Sequence, residues 1–295
     1  MNGALNPIRF ELVNKAPVFN VRVDAADMRF ILDSGSQHMV LNRMNENGNC
    51  ADVPGSIDGG KITGMMARQL SSFEWGGLRL SNQIALMADI SHISKHLEST
   101  VHGLIGCAQF MNYDLLLDYG SLTVTLIDSY GEIPRDMSGA VRIPFVMSGH
   151  IPVINARIGE EMLSLGIDTG ATYNILNCKY RAFMEASGLI YDVAQDDIVR
   201  FNADDSEPGA CVCTVRTVTI ENGVAVNSVP VDGVTVNGVT ANGVALDDMR
   251  FAYHDIDIPG VRIDGLLGYE LFARYKALIR YAERELLLQS YVNTP

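Results

Sequence analysis

Asp33 and Asp168 are the residues of this sequence whose type and setting best suit chemistry, each being followed by a small hydroxyl residue and a glycine. The two triplets are Asp33-Ser34-Gly35 and Asp168-Thr169-Gly170. Two carboxylates brought side by side do not both ionise readily, so one keeps a proton that the other lacks. The anionic member can then act as a general base on a bound water while the protonated member polarises a carbonyl. One such triplet alone is an ordinary turn sequence. Its recurrence in an equivalent setting gives it weight.

That setting is an internal repeat. Pro17-Val18-Phe19-Asn20 leads to Phe30-Ile31-Leu32-Asp33, and Pro152-Val153-Ile154-Asn155 leads to Leu165-Gly166-Ile167-Asp168. The copies superpose without a gap at an offset of 135, which also carries Leu41-Asn42 onto Leu176-Asn177. Apolar residues before each aspartate place its carboxylate at the end of a buried strand, and the glycine after the hydroxyl permits a tight turn and close backbone approach. Further on, Gly103-Leu104-Ile105-Gly106 is answered by Gly265-Leu266-Leu267-Gly268, with Phe110 and Tyr113 matching Phe272 and Tyr275 at an offset of 162. The difference between the offsets, 27 residues, has its source around residues 232–246, where Asn/Asp-Gly recurs between β-branched residues. Consecutive strands and tight turns are expected there, and no chemistry.

Alternation of apolar and polar residues predicts strands over 8–14, 18–23 and 28–32, the last two joined by a hairpin turn at Asp24-Ala25-Ala26-Asp27. Strand character continues at 39–41, 61–75 and 78–88, in two strands within 113–127, and at 277–281 and 285–290, with loop over 45–60. Short helices are expected at 91–99, 108–112, 179–188 and 269–274. The fold expected is all-β, mostly strand with a few short helices, in two lobes related by a pseudo-twofold axis with a cleft between them. The lobes are placed at residues 1–135 and 136–295. Pseudo-twofold packing would bring Asp33 and Asp168 together on the axis.

Composition narrows the partners. A net charge of −13 in 295 residues argues against nucleic acid, which demands basic patches. No apolar run approaches the roughly 18 residues that span a bilayer, and the first residues show no secretory signal, so a cytoplasmic location is expected. Five cysteines are an odd number and suggest free thiols rather than a disulfide framework. No cysteine or histidine pair has zinc-finger spacing, and no metal or other cofactor is expected. His92, His96 and His102 are scattered, and His38, soon after the first triplet, is read as a residue that supports the aspartate loop from behind or as a polar loop residue.

The paired triplets, each with its downstream glycine pair, resemble the aspartic peptidase superfamily of pepsins and retropepsins. Asp168-Thr169-Gly170-Ala171 is similar to the retropepsin form, and two lobes on one chain resemble a fused, retropepsin-like protein of bacterial type. The resemblance implies Asp33 and Asp168 as the catalytic dyad, Ser34 and Thr169 as interlocking hydroxyls beneath it, and Gly35 and Gly170 as the turns. It implies that the glycine pairs pack behind the aspartate loops. It also implies a flap, for which Gly59-Gly60-Lys61-Ile62-Thr63-Gly64 is the candidate in lobe one, and Asp204 to Gly209 a poorer one in lobe two. The sequence departs from the family in lacking a tyrosine between Asp33 and Tyr113 and in carrying Cys107 and Tyr269 after the glycine pairs. Two functional expectations stand: an aspartic endopeptidase, monomeric, acting on a peptide or protein substrate, or a peptide-binding or assembly module on the same fold that does not turn over.

Overall fold

The computed structural model describes residues 4–43, 56–57, 60–61, 66–129, 131–199, 206–221, 239–240, 243–256 and 258–291. The molecule is mostly β with a few short helices, in two pseudo-symmetric lobes. In each lobe a hairpin carries the aspartate. Ala16–Val23 pairs antiparallel with Ala26–Leu32, and Ile151–Ile158 with Glu161–Ile167. The first strands of these hairpins bury the same positions in the same order, so the sequence repeat is a repeat of packing. The turns are tight: Asp24 and Ala25 both take positive φ, of 46° and 70°, the geometry that follows the natural twist of a two-residue hairpin.

The strand leading into each aspartate is flanked by a parallel partner from far along the chain. Gly103–Ile105 lies beside Phe30–Leu32, and Gly265–Leu267 beside Leu165–Ile167. Glycine is required at both places: a Cβ on Gly103 would collide with the Val40 carbonyl oxygen, and one on Gly265 with that of Ile175. Each sheet then continues through Met39–Asn42 or Asn174–Leu176 and curls back on itself, Ala16–Val23 pairing with Met66–Trp75 and Ile151–Ile158 with Ser206–Glu221.

A third sheet of six strands belongs to both lobes. Its order is Ile8–Arg9, Thr123–Asp128, Tyr113–Asp118, Tyr275–Arg280, Glu285–Ser290, Val141–Pro144. The lobes meet where Tyr113–Asp118 pairs antiparallel with Tyr275–Arg280. One continuous apolar core runs through both lobes, with Trp75, Phe19, Phe30, Phe73 and Phe110 on one side and Phe251 and Phe272 on the other. Burying each of these rings contributes roughly 1.5–3 kcal/mol.

Several local expectations change. The strand read over 8–14 is two: Ile8–Arg9 joins the shared sheet and Glu11–Val13 joins lobe one. The break falls at Phe10, whose ring turns inward onto Phe19 and Tyr119, an anchor that alternation alone cannot distinguish from an ordinary buried strand residue. The helix expected over 179–188 is a 3-10 turn at Cys178–Tyr180 followed by Arg181–Ala186, and 108–112 becomes a 3-10 turn at Cys107–Gln109. Helices form at Ser91–His96 and at Tyr269–Arg274. Of the repeat at 232–246, Val239–Thr240 and residues from Gly243 onward are strand, and the remainder lies outside the described residues. No helix among the described residues is long and apolar enough to cross a membrane.

Candidate functional site

Asp33 and Asp168 end equivalent strands and meet at the junction of the lobes. Each backbone N–H donates to the parallel strand behind it, Asp33 to the Ile105 carbonyl at 3.0 Å and Asp168 to that of Leu267 at 2.9 Å. The two loops then grip one another. Ser34 N–H donates to Thr169 Oγ1 at 3.0 Å and Thr169 N–H donates to Ser34 Oγ at 2.9 Å. The hydroxyls donate onward across the axis, Ser34 Oγ to the Ile167 carbonyl and Thr169 Oγ1 to the Leu32 carbonyl. Each hydroxyl thus accepts from one peptide and donates to another, which serine and threonine can do and alanine or valine cannot.

The carboxylates share a donor. Gly35 N–H reaches Asp33 Oδ1 at 3.0 Å and Asp168 Oδ1 at 3.1 Å. Asp33 Oδ1 also accepts from Ser36 N–H, and Asp168 Oδ1 from Gly170 N–H. The approach is so close that a Cβ on Gly35 would overlap the Asp168 carboxylate, and one on Gly170 would come within 2.6 Å of Asp33 Oδ1. Both side chains are buried, Asp33 at 1% exposed and Asp168 at 7%, and among the described residues no N–H or hydroxyl group donates to Asp33 Oδ2.

This setting fixes the electrostatics. Burial, then the charge and carboxyl hydrogen bond of Asp168, hold Asp33 well above the ordinary carboxylate range, against the N–H groups of Gly35 and Ser36. Burial also raises Asp168, to a lesser degree because Gly170, Asp33, Gly35 and His150 oppose it. Both carboxyls are therefore raised, Asp33 the further, and the two titrate as one unit that keeps one proton after losing the other. A protonated carboxyl beside an anionic one is an acid and a base at a single point, equipped to activate water against a polarised carbonyl.

The structure brings together Asp33, Ser34, Gly35, Asp168, Thr169 and Gly170. The glycine pairs pack directly behind them: a Cβ on Gly106 would strike the His38 carbonyl oxygen and one on Gly268 that of Ala171, while Gly268 N–H donates to Asn174 Oδ1 at 2.9 Å. Of the flap candidate, Gly60–Lys61 forms a small two-stranded ladder with Ser56–Ile57, whereas Gly59, Ile62, Thr63 and Gly64 lie outside the described residues. In the lobe-two candidate, Ser206 to Gly209 begin the long strand Ser206–Glu221, and Asp204 and Asp205 are outside the described residues. His102 is remote: its Nδ1 accepts from Arg29 N–H, and burial pushes its pKa down. Burial likewise pushes the Cys107 thiol up to about 12 and that of Cys213 to about 11, so neither is a ready nucleophile.

Sequence reasoning missed His150. Its Nε2 lies 2.7 Å from the Gly35 carbonyl oxygen, one peptide from the shared donor. The available signal was the repeat: at the offset of 135, His150 falls on Lys15, two residues before the repeated proline.

No family model matches the chain. No curated protein matches it either. Solved structures do. The basic 7S globulin from soybean is similar over 99% of this chain and 95% of its own, with 11% identity and a TM-score of 0.55. Conglutin gamma, a basic 7S globulin from lupine seeds, is similar over 98% and 94%, with 12% identity and a TM-score of 0.54. At such identity the likeness is one of fold alone, and it extends over both lobes.

These findings overturn the assignment to the aspartic peptidase superfamily and to a bacterial retropepsin-like type. The two similar solved structures named above are basic 7S globulins, and no family model matches. The physical reason lies in the motifs that carried the assignment. Ser34 and Thr169 lock the loops, Gly35 and Gly170 admit the opposing carboxylates, and the glycine pairs clear backbone oxygens, so scaffold geometry alone demands most of the pattern.

Proposed function

We propose that the chain holds an extended peptide between its lobes, with one peptide carbonyl at the Asp33/Asp168 pair, and hydrolyses it there. The observation that supports this reading is that two buried carboxylates both accept the same Gly35 N–H and so lie close enough to oppose each other's ionisation. In the reaction, Asp168 takes a proton from a water whose oxygen bonds to the carbonyl carbon, while Asp33 donates its proton toward the carbonyl oxygen. As the C–N bond breaks, Asp168 passes the proton it took from water to the leaving nitrogen, and Asp33 takes one hydroxyl proton of the collapsing diol, which leaves the product carboxylic acid and restores the starting pair. Main-chain pairing of the peptide with exposed strand edges would supply affinity with little sequence restriction. Both carboxylates come from one chain, so a monomer suffices.

A second reading has its own support. The similar solved structures are globulins, and the comparisons favour a peptide-binding or assembly module on this fold, without turnover, over the hydrolase. A peptide-library digest from about pH 3 to pH 7, run with the wild type, Asp33→Asn and Asp168→Asn, separates the two. Cleavage by the wild type that both variants lose supports the hydrolase. Peptide capture without cleavage at any pH, by folded protein, supports the binding module, and cleavage retained in both variants removes the pair from the chemistry.

A further inference from the structure

We propose that His150 is a positioning residue for the carboxylate pair, acting from lobe two through the Gly35 carbonyl of lobe one. The inference rests on the Asp33/Asp168 pair being the functional centre. His150 stands at the tip of the hairpin in which Val146–Ser148 pairs with Ile151–Ile158, Ser148 opposite Ile151. A two-residue turn, Gly149-His150, closes it, with Gly149 at φ 58°. A carbonyl can only accept, so the 2.7 Å contact fixes the proton on Nε2 and makes His150 the donor.

The peptide that receives this bond is part of the site. The Gly35 carbonyl belongs to the Gly35–Ser36 peptide, whose N–H donates to Asp33 Oδ1 at 3.2 Å. Donation into one end of a peptide polarises the other, so the imidazole strengthens the bond that Ser36 makes to Asp33. The same contact anchors the loop that presents Gly35 N–H to both carboxylates. His150 is also among the groups whose electrostatics draw the Asp168 carboxyl downward.

The symmetry of the chain supports the assignment. Lys15, the residue equivalent to His150, stands in the corresponding two-residue turn, Asn14-Lys15, between Val13 and Ala16. It too crosses to the opposite lobe, its Nζ lying 4.1 Å from the centre of the Tyr173 ring and 5.6 Å from that of Tyr269. Each hairpin tip therefore carries a basic side chain to the other lobe's aspartate loop. In lobe one that side chain rests on aromatic faces; in lobe two it bonds to the loop backbone, and this difference makes the site asymmetric.

The test compares His150→Gln, which keeps a donor of similar reach, with His150→Leu, which keeps bulk and loses the donor. Aspartate carboxyl carbons are labelled and their titration followed by NMR, alongside hydrolysis of a peptide pool. Both variants are expected to remain folded by circular dichroism. His150→Leu is expected to move the upper titration of the pair to higher pH and to lower kcat about tenfold or more with KM little changed, and His150→Gln to recover much of both. A folded His150→Leu variant whose pair titrates as in the wild type overturns the proposal. If the wild type cleaves no peptide, the hydrolytic reading alone fails, and the titration still decides the role of His150.

Discussion

Ser34 and Thr169 hold each other by two reciprocal hydrogen bonds across the lobe junction, backbone N–H to hydroxyl in each direction. Both residues are buried, so no water can replace a lost partner. Thr169→Val keeps the shape, removes the acceptor of Ser34 N–H and leaves the Leu32 carbonyl without its donor. It is expected to cost on the order of 1–3 kcal/mol per group left unsatisfied. Ser34→Ala should cost a similar amount and the double variant less than the sum, since the residues share one network. Urea unfolding of the four proteins measures this, and strict additivity would remove the coupling.

The carboxylate pair sets a pH dependence whose sign follows from its burial. Asp33 is held well above its ordinary pKa, so between the unfolded and folded values the native state binds the extra proton. Stability from this group therefore falls as pH rises through that window and levels off above it. Asp33→Asn should be more stable than the wild type near neutral pH and equal to it near pH 3. The gain is on the order of 1.4 kcal/mol for each unit by which the folded pKa exceeds the unfolded one within that window. Thermal melts at both pH values check the prediction.

Asp114 and Arg280 face each other across the lobe boundary in the shared sheet, with Arg280 Nε 3.0 Å from Asp114 Oδ2 and side-chain exposures of 3% and 11%. Arg280→Met leaves a buried carboxylate alone and should cost about 3–5 kcal/mol. Asp114→Leu combined with Arg280→Met should recover most of that loss, because the charge is removed with its partner. A double variant as unstable as Arg280→Met would assign the loss to the contacts of Arg280 with Glu283 and Glu285 instead.

Glycine requirements separate scaffold from turn. Gly106→Ala drives a Cβ into the His38 backbone and should cost about 1–3 kcal/mol or more. Gly188→Ala meets open space but sits at φ 63°, so about 1 kcal/mol is expected. Gly77→Ala meets only Leu5 at 3.4 Å and should be near neutral. Chemical denaturation ranks the three, and a different order would mean that the loops yield more than their packing suggests.

The duplicated frame is legible in the sequence because a gapless repeat constrains packing position by position: Ala16–Val23 and Ile151–Ile158 bury identical positions. The aspartates, hydroxyls and glycines are legible for the same reason. His150 was not, because its bond is to a backbone carbonyl, and a carbonyl leaves no trace in residue type. Asp114 and Arg280 were hidden too, since strand pairing between residues 166 apart follows from topology and from no local pattern. Family identity is not legible in these motifs, because the fold needs them for its own assembly.

The sheet shared by the lobes has a consequence for biosynthesis. Tyr113–Asp118 emerges from the ribosome well before its neighbour Tyr275–Arg280, which lies about 160 residues further along the chain. Until then lobe one presents an open strand edge flanked by apolar Leu115 and Leu117, a template for pairing with another nascent chain. Synthesis of Tyr275–Arg280 therefore closes a vulnerable edge as well as the site. Ribosomes stalled shortly before residue 275 should release protein far more prone to self-association than the finished molecule.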